Sequence, residues 1–96
     1  MGGLKMNKIN VAIADDNQRT VEMMTELLEQ ESDIEVIASA DNGEDALRII
    51  KERQPDLILS DVMMPIMNGD KMCNILKNNI ETSHIPIILL TALNDK

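Results

Sequence analysis

The sequence contains no Phe, Trp or Tyr, so any core must be assembled from Ile, Leu, Val, Ala and eight Met. Such side chains pack adaptably and specify geometry less sharply than aromatic rings do. A single cysteine, Cys73, excludes an internal disulfide and an all-cysteine metal site and fits a reducing compartment. Cations are scarce as well: nine Lys and Arg stand against 17 Asp and Glu, a net charge of −8. They do not cluster, so a phosphate backbone is repelled and direct binding of nucleic acid is not expected. No apolar run approaches the roughly 18 to 20 residues of a membrane span, and Met1–Met6 lacks the apolar stretch of a signal peptide. The expectations are no membrane contact and a cytoplasmic location. Linkers and repeats are lacking too, and Pro55, Pro65 and Pro86 all fall at element boundaries.

What remains is a chain of 96 residues, 44% apolar and 27% charged, an ordinary composition for one small globular domain. Residues 1–7 read as a leader and residues 8–96 as the domain. Within the domain, short apolar runs alternate with segments of helical period. Ile9 to Ala14 is a buried strand stopped by two aspartates. Asn17 caps a helix with Val21, Met24, Leu27 and Leu28 on its apolar side. Ile34 to Ala38 is the second strand. Asn42 caps a second helix, with Ala46, Leu47 and Ile50 on one face, and Pro55 ends it. Leu57 to Leu59 is the third strand, halted by Asp61. Asn68 caps a third helix carrying Met72, Ile75 and Leu76 inward, and Ile87 to Leu90 is the fourth strand, ending at Thr91. The order βαβαβαβ, with strands apolar on both faces, predicts an α/β fold: a doubly wound parallel sheet of four strands covered by three helices and joined by right-handed crossovers.

Ligands of such sheets bind beyond the carboxyl ends of the strands. Those ends carry Asp15 and Asp16 after the first strand, Asp61 after the third and Thr91 after the fourth. Three carboxylates brought that close resist joint ionisation unless a cation is present. Carboxylate oxygens suit a hard ion, and Mg²⁺ favours one or two carboxylates together with water and phosphate oxygens. The expected occupants are therefore Mg²⁺ and a phosphoryl group. His84 lies before the fourth strand, at the opposite end of the sheet, and is not expected to act with the acids. Cys73 and the methionines Met63, Met64 and Met67 read as packing and loop residues.

The acidic pair Asp15-Asp16, Asp61 closing Leu57-Ile-Leu-Ser-Asp61, Met63-Met-Pro-Ile-Met-Asn-Gly69 and Ile87-Ile-Leu-Leu-Thr-Ala92 together resemble the receiver domains of two-component response regulators. The resemblance covers residues 8–96. It implies a flavodoxin-like sheet of order 2-1-3-4-5 and a domain that receives a phosphoryl group from the phosphohistidine of a histidine kinase or phosphotransfer protein. By the same resemblance Asp61 is the phosphoacceptor, and Asp15, Asp16, Asp61 and the backbone carbonyl of Met63 are the Mg²⁺ ligands. Thr91 is then a switch hydroxyl that bonds the phosphoryl oxygen. A carboxylate ionised at pH 7 needs no general base, so positioning and charge neutralisation carry such a transfer.

The chain also departs from the family. Receivers carry a fifth strand that ends in a lysine, and Lys96, five residues after Thr91, comes too soon to supply it. A further helix, strand and helix take roughly 25 to 30 residues. Asn68 stands where the family commonly has Asp. Ile9 to Leu47 resembles sporulation-type regulators and Ser60 to Leu93 resembles receivers fused to sensor kinases, as in a recombined or designed chain or one that has diverged. A truncated fold of this kind exposes the edge of Ile87–Leu90, which predicts a homo-oligomer through that edge. Two other readings follow: a non-functional or engineered fragment serving as an assembly module, and a Mg²⁺-dependent aspartyl phosphohydrolase. The last normally places an acid two residues after its nucleophile, where this chain has Met63, so a phosphoacceptor without enzymatic turnover is expected.

Overall fold

In the computed structural model, residues 8–90 are described. Four strands and three helices alternate: β1 Ile9–Ala14, α1 Gln18–Leu28, β2 Ile34–Ala40, α2 Gly43–Arg53, β3 Leu57–Asp61, α3 Gly69–Lys77 and β4 Ile87–Leu90. The strands form one parallel sheet of order β2-β1-β3-β4, the order the resemblance to receiver domains implies for these four. The leader assigned to residues 1–7, and Thr91, Asp95 and Lys96, lie outside the described residues. Among the described residues no helix is long and apolar enough to cross a membrane.

Each helix starts where an asparagine side chain satisfies a backbone donor that the helix itself leaves unbonded. Asn17 accepts from the N–H of Thr20, Asn42 from Asp45 and Asn68 from Lys71. α2 carries Glu44 and Asp45 in its first turn and Lys51 and Arg53 in its last, matching the helix dipole at both ends. It stops at Gln54, whose left-handed φ of 49° precedes Pro55.

The sheet separates two apolar layers. On one face Val21, Met24 and Leu28 of α1 pack on Val11, Ile13, Leu57 and Leu59. On the other, Ala46 and Ile50 of α2 and Met72 and Leu76 of α3 pack on Ala12, Ala14 and Ile58. Three expectations need correction. Leu27, assigned to the apolar side of α1, is 62% exposed, because at i+6 from Val21 it has rotated about 120° off the buried face at 3.6 residues per turn. β2 runs on to Ala40 and β3 to Asp61, so Asp61 is the last residue of its strand and does not follow it. β2 is also half-exposed along most of its length and is not apolar on both faces, as an edge strand need not be.

β2 contains an irregularity absent from the sequence pattern. Val11 pairs with Val36 but Ala12 with Ala38, so Ile37 is an extra residue in the ladder. Arg53 donates to the Ile37 carbonyl at 3.0 Å, and the Glu29 carboxylate accepts the neighbouring Val36 N–H at 2.9 Å. Both groups are thereby satisfied on an edge strand.

Candidate functional site

The parallel register places the site. Ala14 of β1 stands opposite Ser60 of β3, so the residues that follow, Asp15 and Asp61, emerge side by side at the carboxyl end of the sheet. Asp16 turns in beside them, and one carboxylate oxygen from each of Asp15, Asp16 and Asp61 lies within 4.8 Å of the others. The structure thus brings together the three acids singled out from strand ends. The fourth residue of that set, Thr91, lies outside the described residues.

The three acids differ in environment. Asp15 is buried, with 8% of its surface exposed, while Asp16 is exposed and Asp61 half-buried. Burial raises the pKa of Asp15 above its ordinary value, and the charges of Asp61 and Asp16 push the same way; the N–H of Asn17, donating to Asp15 Oδ1 at 2.8 Å, opposes them. Sequence reasoning anticipated the repulsion but not that desolvation is the larger cause. A crevice of about 250 Å³ opens beside Asp15, lined by Gln18, Asp41, Asp45 and Arg48 among others. Arg48 pairs there with Asp45 at 3.5 Å, an exposed contact, and does not offset the charge of the three acids.

Asp61 is oriented by its own loop. Its Oδ1 accepts the Met63 N–H at 3.3 Å, and Ser60 Oγ donates to the Asp61 carbonyl at 2.9 Å. The loop divides its methionines: Met64 is buried in the α2–α3 layer and Met63 is 74% exposed. Two glycines hold the loop down. A Cβ on Gly69 would lie 2.3 Å from the Asp61 carbonyl oxygen, and one on Gly43 would lie 2.4 Å from that of Met67. Neither contact was predicted, since a glycine opening a helix carries no sequence mark of what crosses above it.

The donor set fits a hard divalent cation: three carboxylates converge, one of them buried at an electrostatic cost that a cation would remove. His84, exposed and ahead of β4, lies at the other end of the sheet, as expected. Cys73 is half-buried on α3.

Comparison with known proteins gives the family and the fold. The family model described as response regulator receiver domain matches residues 11–96. A protein-glutamate methylesterase/protein-glutamine glutaminase of Bacillus subtilis (strain 168) is 39% identical over 88 residues, which are 92% of this chain and 24% of that protein. Histidine kinase P4 of Formosa agariphila is 38% identical over 85 residues, 88% of this chain and 6% of the kinase. The chain therefore spans a quarter or less of these relatives. Among solved structures, the signal receiver domain of a signal transduction histidine kinase from Syntrophus aciditrophicus superposes with a TM-score of 0.80 at 36% identity, covering 90% of this chain and 64% of that one. The response regulator domain of Thermotoga maritima CheB shares the fold, with a TM-score of 0.82 at 22% identity over 94% of this chain and 65% of that one.

Proposed function

The chain belongs to the response regulator receiver domain family, a family of phosphoacceptor signalling domains, and from that premise we propose that Asp61 is its phosphoacceptor. The donor is the phosphohistidine of a histidine kinase or phosphotransfer protein. The observation that carries the proposal is the convergence of Asp15, Asp16 and Asp61 at the carboxyl end of β1 and β3.

An Asp61 oxygen attacks phosphorus, the new O–P bond forms as the N–P bond to the donor imidazole breaks, and the product is an acyl phosphate. Oδ1 accepts the Met63 N–H at 3.3 Å, a bond that would leave Oδ2 to make the attack. Asp15, Asp16, Asp61 and the backbone carbonyl of Met63 would hold Mg²⁺. That ion, when bound, neutralises charge on the transferring group. Thr91 supplies a hydroxyl to the phosphoryl oxygens. Val62 and Met63 follow the nucleophile where a phosphohydrolase needs an acid, so the domain stores the phosphoryl group and does not turn over as an enzyme. We also propose that copies associate through the edge of β4, which pairs only with β3 among the described residues.

Incubation with acetyl phosphate or phosphoramidate and Mg²⁺, followed by intact mass measurement, tests the central assignment. One added phosphoryl mass is expected in the parent and in His84→Ala, and none in Asp61→Asn. Label mapped to any other residue would overturn it.

A further inference from the structure

We infer that Gly43, on a helix that contributes no ligand, is a positioning residue for the Met63 end of the cation site. The inference rests on the metal assignment proposed above. The loop from Val62 to Asn68 is fixed at both ends. At α3, the Gly69 N–H donates to the Val62 carbonyl at 2.8 Å. At α2, the Gly43 N–H, one of the donors a helix start leaves unbonded, donates to the Met67 carbonyl at 2.9 Å.

Between these ties the backbone folds tightly. The Met67 N–H donates to the Pro65 carbonyl at 2.6 Å across Ile66, whose φ is +68°, a γ-turn of the rarer hand. A β-branched residue at positive φ is strained, and Ile66 is 75% exposed, so its own side chain packs against little that could offset the strain. The turn persists because its neighbours are held: Pro65 by its ring, Met64 by burial, and Met67 by Gly43. Met63 directly precedes this segment and already bonds Asp61, so the direction of its carbonyl follows from where the turn is pinned.

A side chain at position 43 has nowhere to go. Its Cβ would lie 2.4 Å from the Met67 oxygen, 2.9 Å from the Met67 Cβ and 3.0 Å from the Met67 carbonyl carbon. Two of these are backbone atoms, which no rotamer change can move, so Met67 must shift and the turn with it.

The test compares Gly43→Ala with Val11→Ala, a core truncation on the α1 face that lowers stability without touching the loop. Mg²⁺ is titrated calorimetrically at a temperature at which circular dichroism shows each chain folded. Gly43→Ala is expected to bind Mg²⁺ roughly tenfold more weakly, as when support behind a metal ligand is lost, and Val11→Ala to bind like the parent. Amide resonances recorded without metal give the second readout: Met63 and Met67 should move in Gly43→Ala and stay in place in Val11→Ala. If Gly43→Ala does not fold, Ile66→Gly loosens the same turn without adding bulk, and the same weakening with undiminished melting temperature is expected. Unchanged Mg²⁺ affinity in these loop variants, or equal loss in Val11→Ala, overturns the inference. A parent that binds no Mg²⁺ while the resonances of Met63 and Met67 still respond to Gly43→Ala overturns the metal assignment on which it rests.

Discussion

Asp15 and Asp61 lie side by side because Ala14 and Ser60 are register partners in the β1–β3 ladder, and Asp15 is the one driven into the protein. Its pKa is raised above 3.8 first by burial and then by the charges of Asp61 and Asp16. A folded state that holds this proton more tightly than the unfolded chain gains stability that is fully present below the unfolded value. That stability is lost as pH rises through the raised folded value. At pH 7 without divalent cations, Asp15→Asn should therefore unfold at higher urea than the parent, and the gap should close as the pH falls below 4. Excess Mg²⁺ should reverse the order, since only the parent retains all three carboxylates. Urea titrations at several pH values, with and without Mg²⁺, check both signs.

Gly69→Ala should be strongly destabilising. Its Cβ would meet the Asp61 carbonyl oxygen at 2.3 Å and Ser60 Oγ at 3.1 Å, and α3 cannot retreat while Met72 and Leu76 are fully buried. Overpacking of this kind costs about 1 to 3 kcal/mol, and equilibrium denaturation at 25 °C should place the loss toward the upper end. A loss below about 0.5 kcal/mol would show that the loop yields more readily than its contacts suggest.

Much of this architecture was legible in the sequence. The three asparagine caps, the four strands and the three acids at strand ends all stand where local chemistry predicts, because side chains two to four residues apart determine caps and stops. What was hidden depends on contacts between distant segments. The extra residue Ile37 in β2, satisfied by Arg53, arises from how β2 meets β1. The turn at Ile66 arises from the approach of α2 to the β3–α3 loop, and no propensity assigns isoleucine a positive φ. Leu27 was misplaced because its apolar character outweighed its angular position.

That last point has a direct consequence in the first and third helices. Leu76→Ala should cost about 2 to 5 kcal/mol, since Leu76 is fully buried and its loss leaves a cavity. Leu27→Ala should stay within about 0.5 kcal/mol, the usual range for an exposed position. Parallel thermal and urea unfolding of the two variants checks the pair.

The end of α2 offers a stabilising change. Gln54 adopts φ 49°, a left-handed geometry that costs residues with a Cβ about 1 kcal/mol or more. Glycine takes that conformation freely but adds backbone entropy to the unfolded chain, so Gln54→Gly should gain about 0.5 to 1 kcal/mol. The side-chain bond from Gln54 Nε2 to the Lys51 carbonyl, 3.3 Å long and exposed, is too weak to reverse the sign. A rise in the midpoint of urea unfolding with an unchanged slope is the expected result.

The two edges of the sheet differ in how they meet solvent, and this governs where copies of the chain should pair. At β2 the Glu29 carboxylate already accepts the Val36 N–H, Arg53 already donates to the Ile37 carbonyl, and the extra residue distorts the ladder. Each is a device that discourages an incoming strand. β4 carries none of them among the described residues. It is a short apolar strand, Ile87–Leu90, with Ile88 48% and Leu90 36% exposed. Association should therefore run through β4, burying Ile88 and Leu90 and leaving β2 free. Light scattering at micromolar concentration should report more than one chain mass for the parent. Ile88→Lys, which puts a charge on the pairing strand, should shift the mass toward a single chain, and Ser39→Lys, at an exposed position of β2, should not. A parent that scatters as one chain, with an unfolding midpoint independent of concentration, would rule out pairing through either edge.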